Sequence, residues 1–326
     1  MRADPSRSRP PRPAAQHAAQ HAAQHGARAL ELEDWLNQRI YHPASWRLAK
    51  ILARTPVTPN AVSVMAGACV VGAAMLYAVS SAPAALWGAL GLMMGWHVVD
   101  GADGDLARMT GRVSELGEII DGASDYLSHF VLYGVLAVIA AREWGAPGAV
   151  LIVLSAAARM IQAIFYETQR RQYLWWIYDR PWLRITAPTL PAPTQPATGP
   201  QKEPPKEPQK QSALGRAAAR LYLRLSGGLS CGGARIDTAL AALDAQSLPA
   251  AKAAIKREVL PPVQRAGPLS ANYRSLVIGA AMIAGMPLAI ALFELVVLSI
   301  VMVWVRHAAS RAIARAGNHL DAMSAR

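Results

Sequence analysis

Cysteine is nearly absent from this sequence: two in 326 residues, Cys69 inside an apolar run and Cys231 in a Gly-rich polar stretch. No disulfide framework can be built from them, and they read as two reduced thiols. Charge is scarce too, at 17% of residues against 53% hydrophobic, with a mean hydropathy of +0.18. That balance points away from an ordinary soluble domain. Acidic residues are the minority, 21 against 33 Lys and Arg, giving a net charge of +12. Such an excess suits nucleic acid, anionic lipid or the cytoplasmic flanks of membrane spans, and position decides between them. No apolar run precedes Val57, and the residues before it are polar and basic. A cleaved signal peptide is therefore not expected, and the first span should stay as an anchor.

The apolar residues are concentrated in 57–168 and 271–306, while charge and proline fill the N-terminus and the stretch between. The expected fold is an all-α integral membrane protein with an interfacial amphipathic helix over 30–56, six transmembrane helices and a cytoplasmic insert over 169–270. The spans fall at 57–79, 85–108, 115–140, 148–168, 271–285 and 289–306, given that about 20 residues cross the hydrocarbon. Loops 80–84, 142–147 and 285–288 share one side and carry only Arg142 as a basic residue. The other side receives the N-terminal arginines, Arg108, Arg112, Arg170, Arg171, the insert, Arg306 and Arg311. By the positive-inside rule both termini are cytoplasmic, in the inner membrane of a bacterium, with lipid rather than nucleic acid as the surroundings.

Outside the spans the composition changes character. Residues 1–29 hold a basic, low-complexity tail with His17, His21 and His25 at helical spacing, a conceivable weak metal site. In 30–56, Trp35, Leu36, Ile40, Trp46 and Ile51 alternate with Arg39, Arg47, Lys50 and Arg54, an interfacial pattern broken at Pro43. The insert opens with Tyr173, Trp175, Trp176, Tyr178 and Trp182, which suit an interface belt. A Pro-rich linker from Pro188 to Pro208 follows, then helical spacing over Leu214–Leu225 and Ile236–Val259. Residues 307–326 read as a cytoplasmic tail.

The chemistry is concentrated in Asp100-Gly101-Ala102-Asp103-Gly104-Asp105-Leu106-Ala107-Arg108, followed by Gly117, Asp121 and Asp125. Asp100 and Asp103 are i, i+3 neighbours and Asp121 and Asp125 are i, i+4 neighbours, so each pair shares a helix face. The two helices are consecutive and antiparallel, and the four carboxylates can converge. Each ionised aspartate at a helix centre costs about 2.5–3.5 kcal/mol, and like charges repel; divalent cations offset both. Oxygen-only ligation selects a hard ion, Mg²⁺ first and Mn²⁺ second. Two such ions can neutralise a diphosphate and stabilise its leaving phosphate. Small residues at Gly101, Gly104, Ala107, Gly117 and Gly122 permit either close approach of a nucleotide or tight helix packing.

The stretch Asp100–Asp125 resembles the CDP-alcohol phosphotransferase (CDP-alcohol phosphatidyltransferase) family, matching D-x2-D-G-x2-A-R-x8-G-x3-D-x3-D at eight fixed residues over 26 positions. The resemblance implies a dimeric six-helix membrane enzyme of phospholipid synthesis that uses a CDP-linked donor, a hydroxyl acceptor and two divalent metals. Carried over, Asp100, Asp103, Asp121 and Asp125 hold the metals, and Asp125 also deprotonates the acceptor. Gly104, Ala107, Arg108 and Gly117 receive the CDP moiety. Thr58-Pro59-Asn60-Ala61-Val62-Ser63 resembles the family's first-span opening and assigns Asn60 and Ser63 to the nucleotide side, unless Asn60 merely starts the helix. The insert departs from the compact family pattern.

For the acceptor, Arg159 and Arg274 are candidates for binding a phosphate, as on glycerol phosphate or inositol phosphate, with snorkelling the alternative for Arg274. His97 lies one turn before Asp100 and reads as a structural hydrogen-bonding group. Glu294, in the last span, is given no function. A divalent-cation transporter using the same aspartates is the competing reading, although it leaves the spacing of Gly104, Ala107 and Arg108 unexplained.

Overall fold

A computed structural model describes residues 29–180 and 227–324. The histidine repeat, the Pro188–Pro208 tract, the Leu214–Leu225 pattern and Trp182 fall outside them. The described residues are helical throughout, with no strand. Three helices are long and apolar enough to cross a membrane: Pro59–Val79, Ile119–Tyr178 and Leu288–Met323.

The entry segment holds a 3-10 turn (Leu30–Leu32), a π turn (Asn37–Tyr41) and α1 (His42–Leu52). Pro43 comes just after the π turn, and the backbone stays helical through it, so the break expected there is absent. Next come α2 (Pro59–Val79), α3 (Pro83–Thr110) and α4 (Glu115–Tyr178). Thr58 caps α2 by accepting from the Ala61 amide at 3.2 Å, with Pro59 in the first turn. Gly111, at φ 67°, ends α3 in the left-handed region open to glycine, and Ser114 caps α4 by accepting from the Gly117 amide at 3.0 Å. Those two residues make the short reversal between the halves of the aspartate motif. Within the 64 residues of α4, Gly145 (φ 64°, ψ −159°) and Pro147 break the helix into two rods.

The insert contributes α5 (Ala234–Ala242) and α6 (Leu248–Arg265), and α7 (Ala271–Ile283) follows it. Then come α8 (Leu288–Leu292), a π turn at Phe293–Val297, and α9 (Leu298–Ser324). With 13 residues, α7 rises about 20 Å, short of the roughly 30 Å hydrocarbon. The last helix runs on to Ser324, well past the boundary at 306 that hydropathy indicates, because Ala309, Ala312, Ala316 and Leu320 are buried against the insert.

Two cores result. One joins Val70, Tyr77, Met93, Trp96, Leu132 and Ile278 across α2, α3, α4 and α7. The second joins Tyr173, Trp176, Ile236, Ile255, Ile313 and Leu320 with Leu32. The aromatic cluster is thus largely core rather than an interface belt: Tyr173 and Trp176 are buried, and both Trp175 and Trp176 donate their indole N–H to Asp237. Helix α1 backs α3, with Ala49 packed on Ala102 and Leu106, and a Cβ at Gly101 would meet Ser45 Oγ at 2.6 Å.

Three neighbouring carboxylates fasten the entry segment. Glu31 accepts from Tyr173, Tyr178 and Lys256, and Asp34 accepts from Asn272 at 2.6 Å. Glu33 accepts from Asn37 and Arg170, both at 2.9 Å, with His42 Nε2 at 3.3 Å. Burial alone would raise the Glu33 pKa, but the contact with His42 and the charge of Arg170 outweigh it and hold the group at about 2, below its ordinary 4.5. A depressed carboxyl stabilises the fold above its unfolded pKa and loses that contribution as pH falls through the folded value. The thermal midpoint of the solubilised protein should therefore fall between pH 4.5 and pH 2, and Glu33→Gln should remove at most about 3 kcal/mol of that dependence. An unchanged pH profile in the variant would show that the contact contributes nothing.

Candidate active site

The reversal at 111–114 sets the end of α3 beside the start of α4. Carboxylate oxygens of Asp100, Asp103 and Asp121 come within 4.8 Å of one another, with Asp103 buried and the other two partly so. Ser63 on α2 donates to Asp103 Oδ2 at 2.5 Å, fixing the middle carboxylate. Asp125, one turn beyond Asp121, is outside this group: its Oδ1 lies 3.0 Å from His129 Nδ1. The four aspartates therefore sort into three clustered carboxylates and one paired with an imidazole.

A cleft opens over the cluster, lined by Asn60, Ser63, Asp103, Gly104, Ala107, Arg108, Arg112, Ser114, Gly117 and Asp121. All six residues singled out from the sequence for the nucleotide side (Asn60, Ser63, Gly104, Ala107, Arg108, Gly117) line it. The first turns of α2 and α4 contribute Asn60 and Gly117, and helix N-termini present backbone N–H groups and a partial positive charge to an anion. A side chain at Gly117 would crowd Ser114 Oγ at 3.1 Å and Asn60 Oδ1 at 3.3 Å, so glycine keeps the cleft open. Arg108 donates to Asp105 Oδ1 at 2.7 Å while remaining half exposed at the rim. An oxygen-only donor set of three carboxylates fits a hard divalent cation, and repulsion within it gives such an ion a reason to bind.

The two arginines differ in their surroundings. Arg274 is 2% exposed and does not snorkel. It donates to Gln162 Oε1 at 2.8 Å, reaches Glu294 Oε1 at 3.3 Å and the Leu269 carbonyl at 3.4 Å. Glu294 also accepts from Tyr133 at 2.5 Å and from Ser155. Arg159 lies over the Tyr133 ring, 5.5 Å from its centroid, with Nη1 3.4 Å from the hydroxyl, and its charge acts on Asp125. His97 is a packing residue: its ring lies on Tyr41 and Trp96, and Nε2 is 3.1 Å from Ser275 Oγ. Sequence reasoning overlooked His129 and the partner of Glu294. For Glu294 a signal existed, since an acid and an arginine in facing apolar helices are expected to pair.

The family profile of CDP-alcohol phosphatidyltransferase matches residues 56–178, from the entry to α2 through the end of α4. That segment, which holds the whole aspartate motif, is similar to enzymes that transfer a phosphoalcohol from a CDP-alcohol with release of CMP in phospholipid synthesis. The match favours the enzyme over the transporter reading. No curated protein matches the chain.

The buried ion pair makes its own prediction. Glu294→Leu leaves Arg274 charged and unmatched and should cost about 3–5 kcal/mol, whereas Glu294→Leu with Arg274→Met should cost distinctly less. Equilibrium unfolding of the two variants checks this; equal losses would mean that packing, not charge, dominates.

Proposed function

We propose that the chain is a six-span, dimeric membrane phosphatidyltransferase with a cytoplasmic site. On this reading it moves phosphatidyl from CDP-diacylglycerol to the hydroxyl of an anionic acceptor such as glycerol phosphate or inositol phosphate. The observation that carries this reading is the cleft in which Asp103 and Asp121 of the three-carboxylate cluster, two helix N-termini and Arg108 surround one small volume. On this reading the six spans are α2, α3, the two rods of α4, the short α7, which covers only part of the hydrocarbon, and the α8–α9 helix. Arg108 and Arg112 beside the cleft support a cytoplasmic side by the positive-inside rule.

Asp100, Asp103, Asp121 and Asp125 would hold two divalent cations, Mg²⁺ or Mn²⁺. When bound, these neutralise the donor's diphosphate and the departing phosphate. Gly104, Ala107, Arg108, Gly117, Asn60 and Ser63 seat the CDP moiety. Asp125 takes the proton from the acceptor hydroxyl. The acceptor oxygen then forms a bond to the β-phosphorus, the bond from that phosphorus to the CMP oxygen breaks, and CMP leaves. Arg159 holds the acceptor's anionic group in this scheme, because Arg274 is already engaged by Glu294 and Gln162.

The test is turnover of labelled CDP-diacylglycerol with Mg²⁺ against a panel of hydroxyl acceptors, the products identified by mass. Anionic acceptors should be preferred, and Arg159→Leu should raise their KM at least about tenfold, the loss of one charge-assisted hydrogen-bond pair. Asp125→Asn should lower kcat by about 100-fold or more. Full turnover in Asp125→Asn would remove the base from this scheme. Equal use of neutral and anionic acceptors would remove the acceptor assignment.

A further inference from the structure

We propose that His129 is a positioning residue that orients the Asp125 carboxylate for proton transfer. The inference rests on the reading of Asp125 as the base. His129 stands one turn after Asp125 on α4 and is 7% exposed. Its Nδ1 lies 2.9 Å from the main-chain oxygen of Asp125 and 3.0 Å from Oδ1 of the same residue. Both neighbours are acceptors, so Nδ1 carries the hydrogen: it is directed to the helix carbonyl, and the buried Oδ1, which has no hydrogen bond of its own, rests against the same edge of the ring. Nε2 is buried with no hydrogen-bond partner, so the opposite edge of the ring is held by packing instead.

That packing is specific. The His129 ring meets Trp96 edge-on at 4.5 Å, Trp96 lies 4.3 Å from His97, and His97 lies 4.7 Å from Tyr41. Four rings thus run from the entry segment through α3 to α4 and end at the one aspartate that the carboxylate cluster leaves out. A carboxylate on a short side chain rotates freely unless one oxygen is occupied. The imidazole edge 3.0 Å from the buried Oδ1 sets the turn of the carboxylate and leaves the second oxygen to take the acceptor's proton, while His129 keeps its own hydrogen throughout. The family's motif ends at Asp125, and the pattern His at +4 with a Trp-His pair before Asp100 lies outside it.

Asparagine and glutamine separate this role from bulk and polarity. The Asn amide can place an N–H where Nδ1 stands, whereas the longer Gln side chain carries its amide toward the Nε2 position. His129→Gln and His129→Leu should lower kcat about 10- to 100-fold, the usual effect of removing a group that orients a catalytic ligand. His129→Asn should retain most of the activity. In all three variants the KM for CDP-diacylglycerol, the Kd for CDP and the thermal midpoint should stay near wild type. Equal kcat in the Asn and Gln variants, or a His129→Leu enzyme within about twofold of wild type, would overturn the inference. So would loss of CDP binding and of the thermal midpoint together, since that pattern marks a residue serving only the fold. Asp125→Asn measured alongside distinguishes the two levels: if it is fully active, the base reading has failed, and if it is inactive while His129→Leu is not, only the positioning role has failed.

Discussion

Like charges held together inside a low-dielectric bundle repel, and three carboxylates within 4.8 Å of one another are the constraint around which this structure is arranged. At an effective dielectric near 20, two ionised carboxylates at that separation repel by about 3–4 kcal/mol. Several features hold the arrangement in place. Ser63 donates to the middle carboxylate, Gly111 and Ser114 set the reversal that brings the two helices side by side, and α1 closes the back of α3 through Ser45 and Ala49. Glycines at 101 and 117 are required because Cβ atoms there would strike Ser45 or crowd Asn60 and Ser114. The same close packing that assembles the site also leaves the cleft above it open.

The second core extends this support beyond the apolar bundle. Insert helices α5 and α6 pack on the end of α4 and on α9, and Leu32 joins them from the entry segment. Glu31, Glu33 and Asp34 then tie that segment to α6, α4 and α7. A continuous set of contacts therefore runs from the insert through the entry segment to α1 and on to the helix that bears Asp100 and Asp103.

Much of the site was legible in the sequence because its spacing is local. Periodicity alone puts Asp100 with Asp103 and Asp121 with Asp125, and a short turn makes their helices neighbours. The separation of Asp125 from the other three was not legible, because it depends on the rotamer of His129 and on rings contributed by Tyr41, Trp96 and His97. The role of Arg274 was also hidden: its partner Glu294 is 20 residues away across a reversal, and only the packed bundle brings them together. Hydropathy located the apolar helices but misjudged their ends. It carries no signal for a helix such as α9, which continues past its apolar stretch to pack on an insert, nor for aromatic residues buried beside Asp237.

The central claim is that the carboxylate cluster is a divalent-metal site over which a cytidine diphosphate is seated. A structure of the protein with Mn²⁺ and CMP tests it directly by anomalous scattering. A manganese peak is expected among Asp100, Asp103 and Asp121, with the phosphate of CMP at the first turns of α2 and α4. Manganese elsewhere, or CMP bound away from Gly104, Ala107 and Gly117, would contradict it.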